Sequence, residues 1–257
     1  MTENKNKQSK DQTISSKDNP LFKKLKLLLS AKGIKEHQLF FLMGEKLINE
    51  YLKEKNKSYK IHLYITCEKF HVKRPFRTLF LSQDLFNELD TIGTHHPLLV
   101  LELNSFPTLD QLPEVKNCEV VLPLGDPRNL GAVLRSAVAF NFNKIYLTKE
   151  SCHPFLPNSI KASAGAVLKS EFYLLNCSFH DLKPKDNDYG LDLEGQPIQT
   201  MTWSKNVRIW IGEEGPGLKS DKLKKLNKIK IPTENVESLN ASVSAAISFW
   251  EILKSRF

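Results

Sequence analysis

Three stretches of the 257-residue chain set chemically useful side chains at the ends of apolar runs. In LPLGDPRNLGAVLRSAVAF (122–140), Arg135 sits on what reads as a helix, with Gly131 and Ala139 one turn to either side. Small neighbours leave a groove that a large ligand could enter. A guanidinium keeps its proton far above neutral pH and is a poor proton acceptor at pH 7, so its natural work is to stabilise negative charge or to hold phosphate. Asn129 is placed to cap the same helix after an Asp126-Pro127 turn. On these residues alone, an ordinary surface arginine explains the pattern as well.

The second stretch is IWIGEEGPGL (209–218), a buried-strand run that opens into Gly212, Gly215 and Gly217. Glycine at this density lets backbone approach a ligand closely. The stretch lacks the Lys-Ser/Thr of a phosphate loop and the GxGxxG of a dinucleotide turn, and Glu213 and Glu214 would repel phosphate. A cationic or hydroxyl-bearing ligand suits it better, and a tight acidic turn is the plain alternative. The third stretch is IKIPTENVESLNASVSAAISFWEIL (229–253). There a strand ends at Ile231-Pro232, and Ser238-Leu239-Asn240 opens a helix whose small side chains permit close packing against another backbone. Ser238 could serve only as that helix's N-cap.

These loops need a scaffold that brings them together, and the order of elements supplies one. Residues 1–18 are polar with almost nothing to bury and read as a disordered tail. From 19 to 104 a helix over LFKKLKLLLSAKG, ending at Gly33, is followed by strands and helices in alternation, which makes a small α/β unit. Residues 105–117, with two prolines and no period, read as a linker. Residues 118–257 again alternate strand and helix, which predicts a mostly parallel sheet covered on both faces, with ligands beyond the carboxyl ends of its strands. All three loops lie at such ends.

Taken together, DPRNLGAVLRSA (126–137), IGEEGPGL (211–218) and IPTENVESLNASVSAA (231–246) resemble, in order and spacing, the motifs of the SpoU family of the SPOUT superfamily, the RNA ribose 2′-O-methyltransferases. KASAGAV (161–167) is similar to the family's link between the first two motifs. Residues 19–104 are similar, more loosely, to its ribosomal-protein-like α/β substrate-binding domain. The resemblance implies a C-terminal parallel sheet with a trefoil knot, S-adenosylmethionine held by backbone around Gly212, Ile231 and Leu239, and a homodimer. It implies roles at the reacting ribose for Arg135, Asn129, Ser238 and Asn240, and an attraction of the sulfonium charge by Glu214. It leaves open whether Arg135 accepts a proton or stabilises an alkoxide. Departures fall outside the chemistry: Asn141 stands where glycine is common, and Leu98, Met43 and Ile34 depart in the substrate-binding half. The competing expectation is a non-enzymatic RNA-binding or assembly protein on the same scaffold.

Composition agrees with an RNA partner without requiring one. The 37 Lys and Arg against 29 Asp and Glu give +8, spread over both halves of the chain. The four cysteines, Cys67, Cys118, Cys152 and Cys177, include no CxxC pair and fit neither a zinc site nor a disulfide framework, so no metal is expected. No apolar run approaches the roughly 18 residues that a membrane span needs, and the opening residues carry no apolar signal core, so the expected location is the cytoplasm. Phe249, Trp250, Ile252 and Leu253 give the last helix more apolar surface than one packed face needs, which also points to a homodimer.

Overall fold

A computed structural model describes residues 12–67, 76–212 and 226–257. By internal contacts the chain divides into two units, Met1–Ser105 with Phe155–Pro157, and Phe106–Pro154 with Asn158–Phe257.

The first unit holds β1 (Gln12–Ile14), α1 (Pro20–Leu27), α2 (Ala31–His37), β2 (Leu39–Leu42), α3 (Glu45–Lys53), β3 (Ile61–Cys67), β4 (Thr78–Leu81), α4 (Gln83–Leu89) and β5 (Leu98–Glu102). Its sheet runs β1-β4-β3-β5-β2, with β1, β4 and β3 parallel and β5 antiparallel to both its neighbours. Ile14 is buried, so part of the segment read as a polar tail adds an edge strand to this sheet. The single helix expected over LFKKLKLLLSAKG is two. Ser30 accepts a hydrogen bond from the Gly33 amide at 3.1 Å and starts α2 afresh. Gly33 therefore does not stop a helix. A Cβ there would stand 2.0 Å from the Leu27 carbonyl oxygen, so glycine is what lets α2 fold back against α1.

The second unit contains β6 (Thr108–Leu109), β7 (Cys118–Leu122), α5 (Pro127–Ala139), β8 (Lys144–Leu147), α6 (Pro157–Ala162), β9 (Glu171–Leu175), β10 (Asp188–Pro197), β11 (Val207–Trp210), β12 (Asn227–Lys230) and α7 (Ala241–Lys254). Its seven strands run β12-β10-β11-β7-β8-β9-β6, and every neighbouring pair is parallel, as the alternating pattern predicts. Strands β7 and β11 are buried along their whole length, so each reads in sequence as an apolar run broken by one charged residue, Glu119 in β7 and Arg208 in β11, and not as an alternation. β6 and the buried Leu112 and Val115 show that the proline-bearing stretch before β7 is packed onto this unit.

One face of the sheet carries two cross-strand rows. The upper row, Trp210, Val121, Tyr146 and Tyr173 in register, packs with Leu112, Phe179, Leu182 and Leu226. The lower row pairs Asp188, Arg208, Glu119, Lys144 and Glu171 on five adjacent strands, so that charge alternates in sign across the sheet. Asp188, Arg208 and Glu119 are fully buried. Arg208 donates from Nε to Glu119 at 2.8 Å, from Nη1 to Asp188 at 3.2 Å and from Nη2 to the Pro113 carbonyl at 2.8 Å. Lys144 reaches Glu119 at 3.3 Å, and the Arg208 guanidinium lies 5.0 Å from the centre of the Tyr146 ring. The row sits at the amino ends of the strands, opposite the edge where the conspicuous loops emerge.

Candidate active site

Because β7, β11 and β12 are parallel members of one sheet, the segments that follow them leave at a common carboxyl edge. After β7, Asp126 and not Asn129 caps α5: its carboxylate accepts hydrogen bonds from the amides of Arg128 and Asn129 at 2.8 and 2.9 Å. Those bonds hold the Asp126 carboxyl below the usual carboxylate range, so it stays ionised at the helix N-terminus. The Asp-Pro pair looks like a plain turn, yet aspartate at the cap with proline in the first helical position is a helix-start signal in its own right. Asn129, freed from capping, is half-buried in the first turn, and its carboxamide has no hydrogen-bond partner among the described residues.

Arg135 is exposed on α5 and forms no ion pair or hydrogen bond with another described residue. It lies eight residues past Pro127, about 12 Å along the helix at the usual rise. Leu130, Val133, Leu134 and Ala137 are buried beneath it. The expected groove beside it needs correction at Gly131, which is buried against α6. A Cβ on Gly131 would stand 2.5 Å from the Ser159 carbonyl oxygen and 2.7 Å from the Ala162 Cβ, so this glycine serves helix packing. The KASAGAV link is the other side of that contact, with Ser159 and Ser163 buried and Ser159 donating to the Pro127 carbonyl at 2.9 Å. Where α5 ends, Asn141 takes φ 65, a left-handed conformation that asparagine tolerates in place of glycine.

At the neighbouring strand ends, Gly212 is half-buried just past β11, and Ile231 and Leu239 are half-buried between β12 and α7. The amides of these three residues donate to no carbonyl among the described residues. Amides without a partner among the described residues, beside the half-buried side chains of Ile231 and Leu239, suit a ligand with an adenine ring and a thioether, so these residues fit the expected cofactor. Glu213, Glu214, Gly215 and Gly217 lie outside the described residues. So does the Lys-rich stretch that follows.

The last helix resolves the ambiguity over Ser238. Asn240 is the N-cap of α7, accepting from the Ser242 amide at 2.9 Å, while Ser238 is exposed in the preceding loop. Capping is therefore the duty of Asn240, and the Ser238 hydroxyl is not consumed by it. Helix α7 packs against α5, with Phe249 over Phe142 at 4.4 Å and Trp250 near Phe140 at 6.0 Å between ring centres. The helix that carries Arg135 is thus held by the helix that follows Ser238 and Asn240. Among the described residues no group of three or more His, Cys, Asp and Glu side chains is arranged to hold a metal ion.

Against known proteins, the SpoU rRNA Methylase family profile matches residues 119–250. A Syntrophobacter fumaroxidans protein named ribosomal RNA small subunit methyltransferase G 2 is 32% identical over 92% of this chain, and the chain spans 48% of its length. The Bacillus subtilis 23S rRNA (guanosine(2553)-2′-O)-methyltransferase is 24% identical over 93% of this chain and 98% of its own. A crystal structure of an AdoMet-bound rRNA methyltransferase from Sinorhizobium meliloti superposes with a TM-score of 0.76 at 21% identity, over 96% of this chain and 99% of that one.

Proposed function

The chain belongs to the SpoU rRNA methylase family, and from that premise we propose that it transfers a methyl group from S-adenosylmethionine to a ribose 2′-hydroxyl of structured RNA, with rRNA ahead of tRNA as substrate. The observation that carries this reading is the convergence of the segments after β7, β11 and β12 at one sheet edge, next to a helix that presents an exposed arginine whose side chain has no partner among the described residues. Gly212, Ile231 and Leu239 would hold the cofactor through backbone amides and apolar contacts. Bound there, S-adenosylmethionine supplies an electrophilic methyl group on a sulfonium, which Glu214 attracts electrostatically.

The remaining work falls to the chain itself. A ribose hydroxyl is a poor nucleophile while it keeps its proton, and negative charge grows on its oxygen as it attacks and the proton passes to water. Arg135 stabilises that charge and can grip an adjacent phosphate with the same planar fork. The carboxamide of Asn129 and the hydroxyl of Ser238, neither of which has a hydrogen-bond partner among the described residues, orient the ribose, and Asn240 fixes the loop that carries Ser238.

The test is incubation of the purified protein with methyl-labelled cofactor and total RNA from a strain lacking the gene, followed by nucleoside analysis. Label is expected in 2′-O-methylated nucleosides, with a chelator making no difference. Label in bases alone, or none at all, sinks the reading.

The same reading makes the protein a cytoplasmic homodimer. No described helix is long and apolar enough to cross a membrane. Phe249 and Ile252 are used up in the unit's own core, but Val243 and Trp250, seven residues apart on one stripe of α7, stay exposed at 46% and 47%. Light scattering at micromolar concentration is expected to give twice 29.4 kDa, and Trp250→Glu to give the monomer mass. A monomeric wild type at both low and high salt overturns the dimer.

A further inference from the structure

At one end of the first unit's sheet, where β3 begins and β5 ends, the surface opens into a cleft of about 700 Å³. Phe76 and Tyr59 wall it, Glu102 and Asn104 supply its acceptors, and Lys57 and Lys60 stand on its rim. The volume suits a single nucleotide and is far too small for a duplex.

Tyr59 is not free to stack. Its ring meets Phe40 and Phe155 edge-on at 5.3 and 5.5 Å, which anchors it to the unit's interior. Phe76 is half-buried and pairs with no other ring among the described residues, so its face is the stacking surface. Glu102 is held by Lys60 at 3.1 Å and faces His62 at 3.5 Å, and these donors keep its carboxyl below the usual range. An ionised carboxylate can only accept hydrogen bonds. It matches a base edge that offers adjacent N–H donors and opposes one that offers carbonyl oxygens. Guanine, with N1–H beside its 2-amino group, presents that edge. Uracil presents one N–H between two oxygens, and adenine and cytosine each set one amine beside a ring acceptor.

We propose that this cleft binds an unpaired guanine, stacked on Phe76 and read by Glu102, with Lys57 on a flanking phosphate. The proposal rests on the RNA reading above and adds a base-specific contact in the unit that does not carry the methyl-transfer motifs.

The test is fluorescence anisotropy with labelled twelve-nucleotide RNAs: all-uridine, the same with one central guanosine, and the same with one central inosine, which lacks the 2-amino group. The guanosine probe is expected to bind about ten-fold more tightly than all-uridine, with inosine between them. In Glu102→Gln and in Phe76→Ala the advantage should fall below about two-fold. Removing a carboxylate from a basic surface ordinarily strengthens RNA binding whatever the sequence. A loss of guanosine preference in Glu102→Gln, with all-uridine binding unchanged or stronger, is therefore something a purely electrostatic or structural role does not produce. The same preference in Glu102→Gln as in wild type overturns the site. Equal binding of all three probes by wild type does so too while leaving the RNA reading intact, whereas no binding of any probe at low salt refutes both.

Discussion

Replacing Arg135 by alanine lowers the single-turnover rate of methyl transfer roughly 10³-fold, the scale on which a lost stabiliser of transition-state charge is felt. Cofactor affinity and the melting curve stay near wild type. The structure separates these outcomes. Arg135 is exposed, its side chain forms no bond with a described residue, and it stands on α5, whereas Gly212, Ile231 and Leu239, which would hold the cofactor, lie on the segments after β11 and β12. Truncation therefore leaves no buried group unpaired and leaves the cofactor's own contacts in place. Arg135→Lys restores little, because an ammonium on a flexible stem cannot reproduce a planar fork that spans a hydroxyl and a phosphate. Measuring transfer to RNA from a strain lacking the gene, with cofactor affinity determined by calorimetry, decides it. Near-normal turnover in the alanine variant ends the electrostatic role, and equal loss of cofactor affinity reassigns the residue to binding.

Much of this site was legible because it is local. Each of the three motifs lies within about twenty residues, each follows an apolar run, and strand–helix alternation is enough to predict that parallel strands deliver them to one edge. What misled was competition between good local signals. Asp126 and Asn129 are both strong capping residues, and only the hydrogen bonds to the Arg128 and Asn129 amides show that aspartate takes the cap. Ser238 and Asn240 pose the same ambiguity, settled by the Ser242 amide. Gly131 reads as open space beside Arg135 because its partner, α6, is nearly thirty residues away in the chain. A glycine emptied for a ligand and a glycine emptied for a helix look alike in one dimension.

The buried charge row is the extreme case. VRIW reads as an apolar strand with one intruding arginine, and the carboxylates that meet Arg208 lie 89 and 20 residues away on flanking strands. No local window contains the pairing. Its consequence nevertheless reaches the site. Arg208 is paired across β11 with Glu119 on β7 and Asp188 on β10, so the bonds fix the register of the strands whose far ends carry Asp126 and Gly212. A slip of one residue would move one loop by about 3.3 Å against the other and turn its side chains to the opposite face.

Arg208→Met should accordingly be among the most damaging substitutions in the second unit, at about 3–5 kcal/mol, because it strands two carboxylates in the interior. All three tryptophans, Trp203, Trp210 and Trp250, belong to this unit, so their fluorescence during urea unfolding reports it alone. The two acidic partners are not equivalent. Glu119 also has Lys144, whereas burial pushes the Asp188 carboxyl up to about 6 against the pull of Arg208. With its folded pKa above the unfolded value, Asp188 is held most favourably when protonated. Its contribution is greatest below pH about 4 and is lost as pH rises to about 6, a change of about 3 kcal/mol. Asp188→Asn removes the titration and keeps the shape. The stability of this variant relative to wild type is therefore expected to rise between pH 4 and pH 7, while Glu119→Gln is destabilising at pH 7. A difference curve for Asp188→Asn that is flat or falls over that interval would show that Arg208 fully compensates the burial of Asp188. The row would then be a source of stability as well as of register.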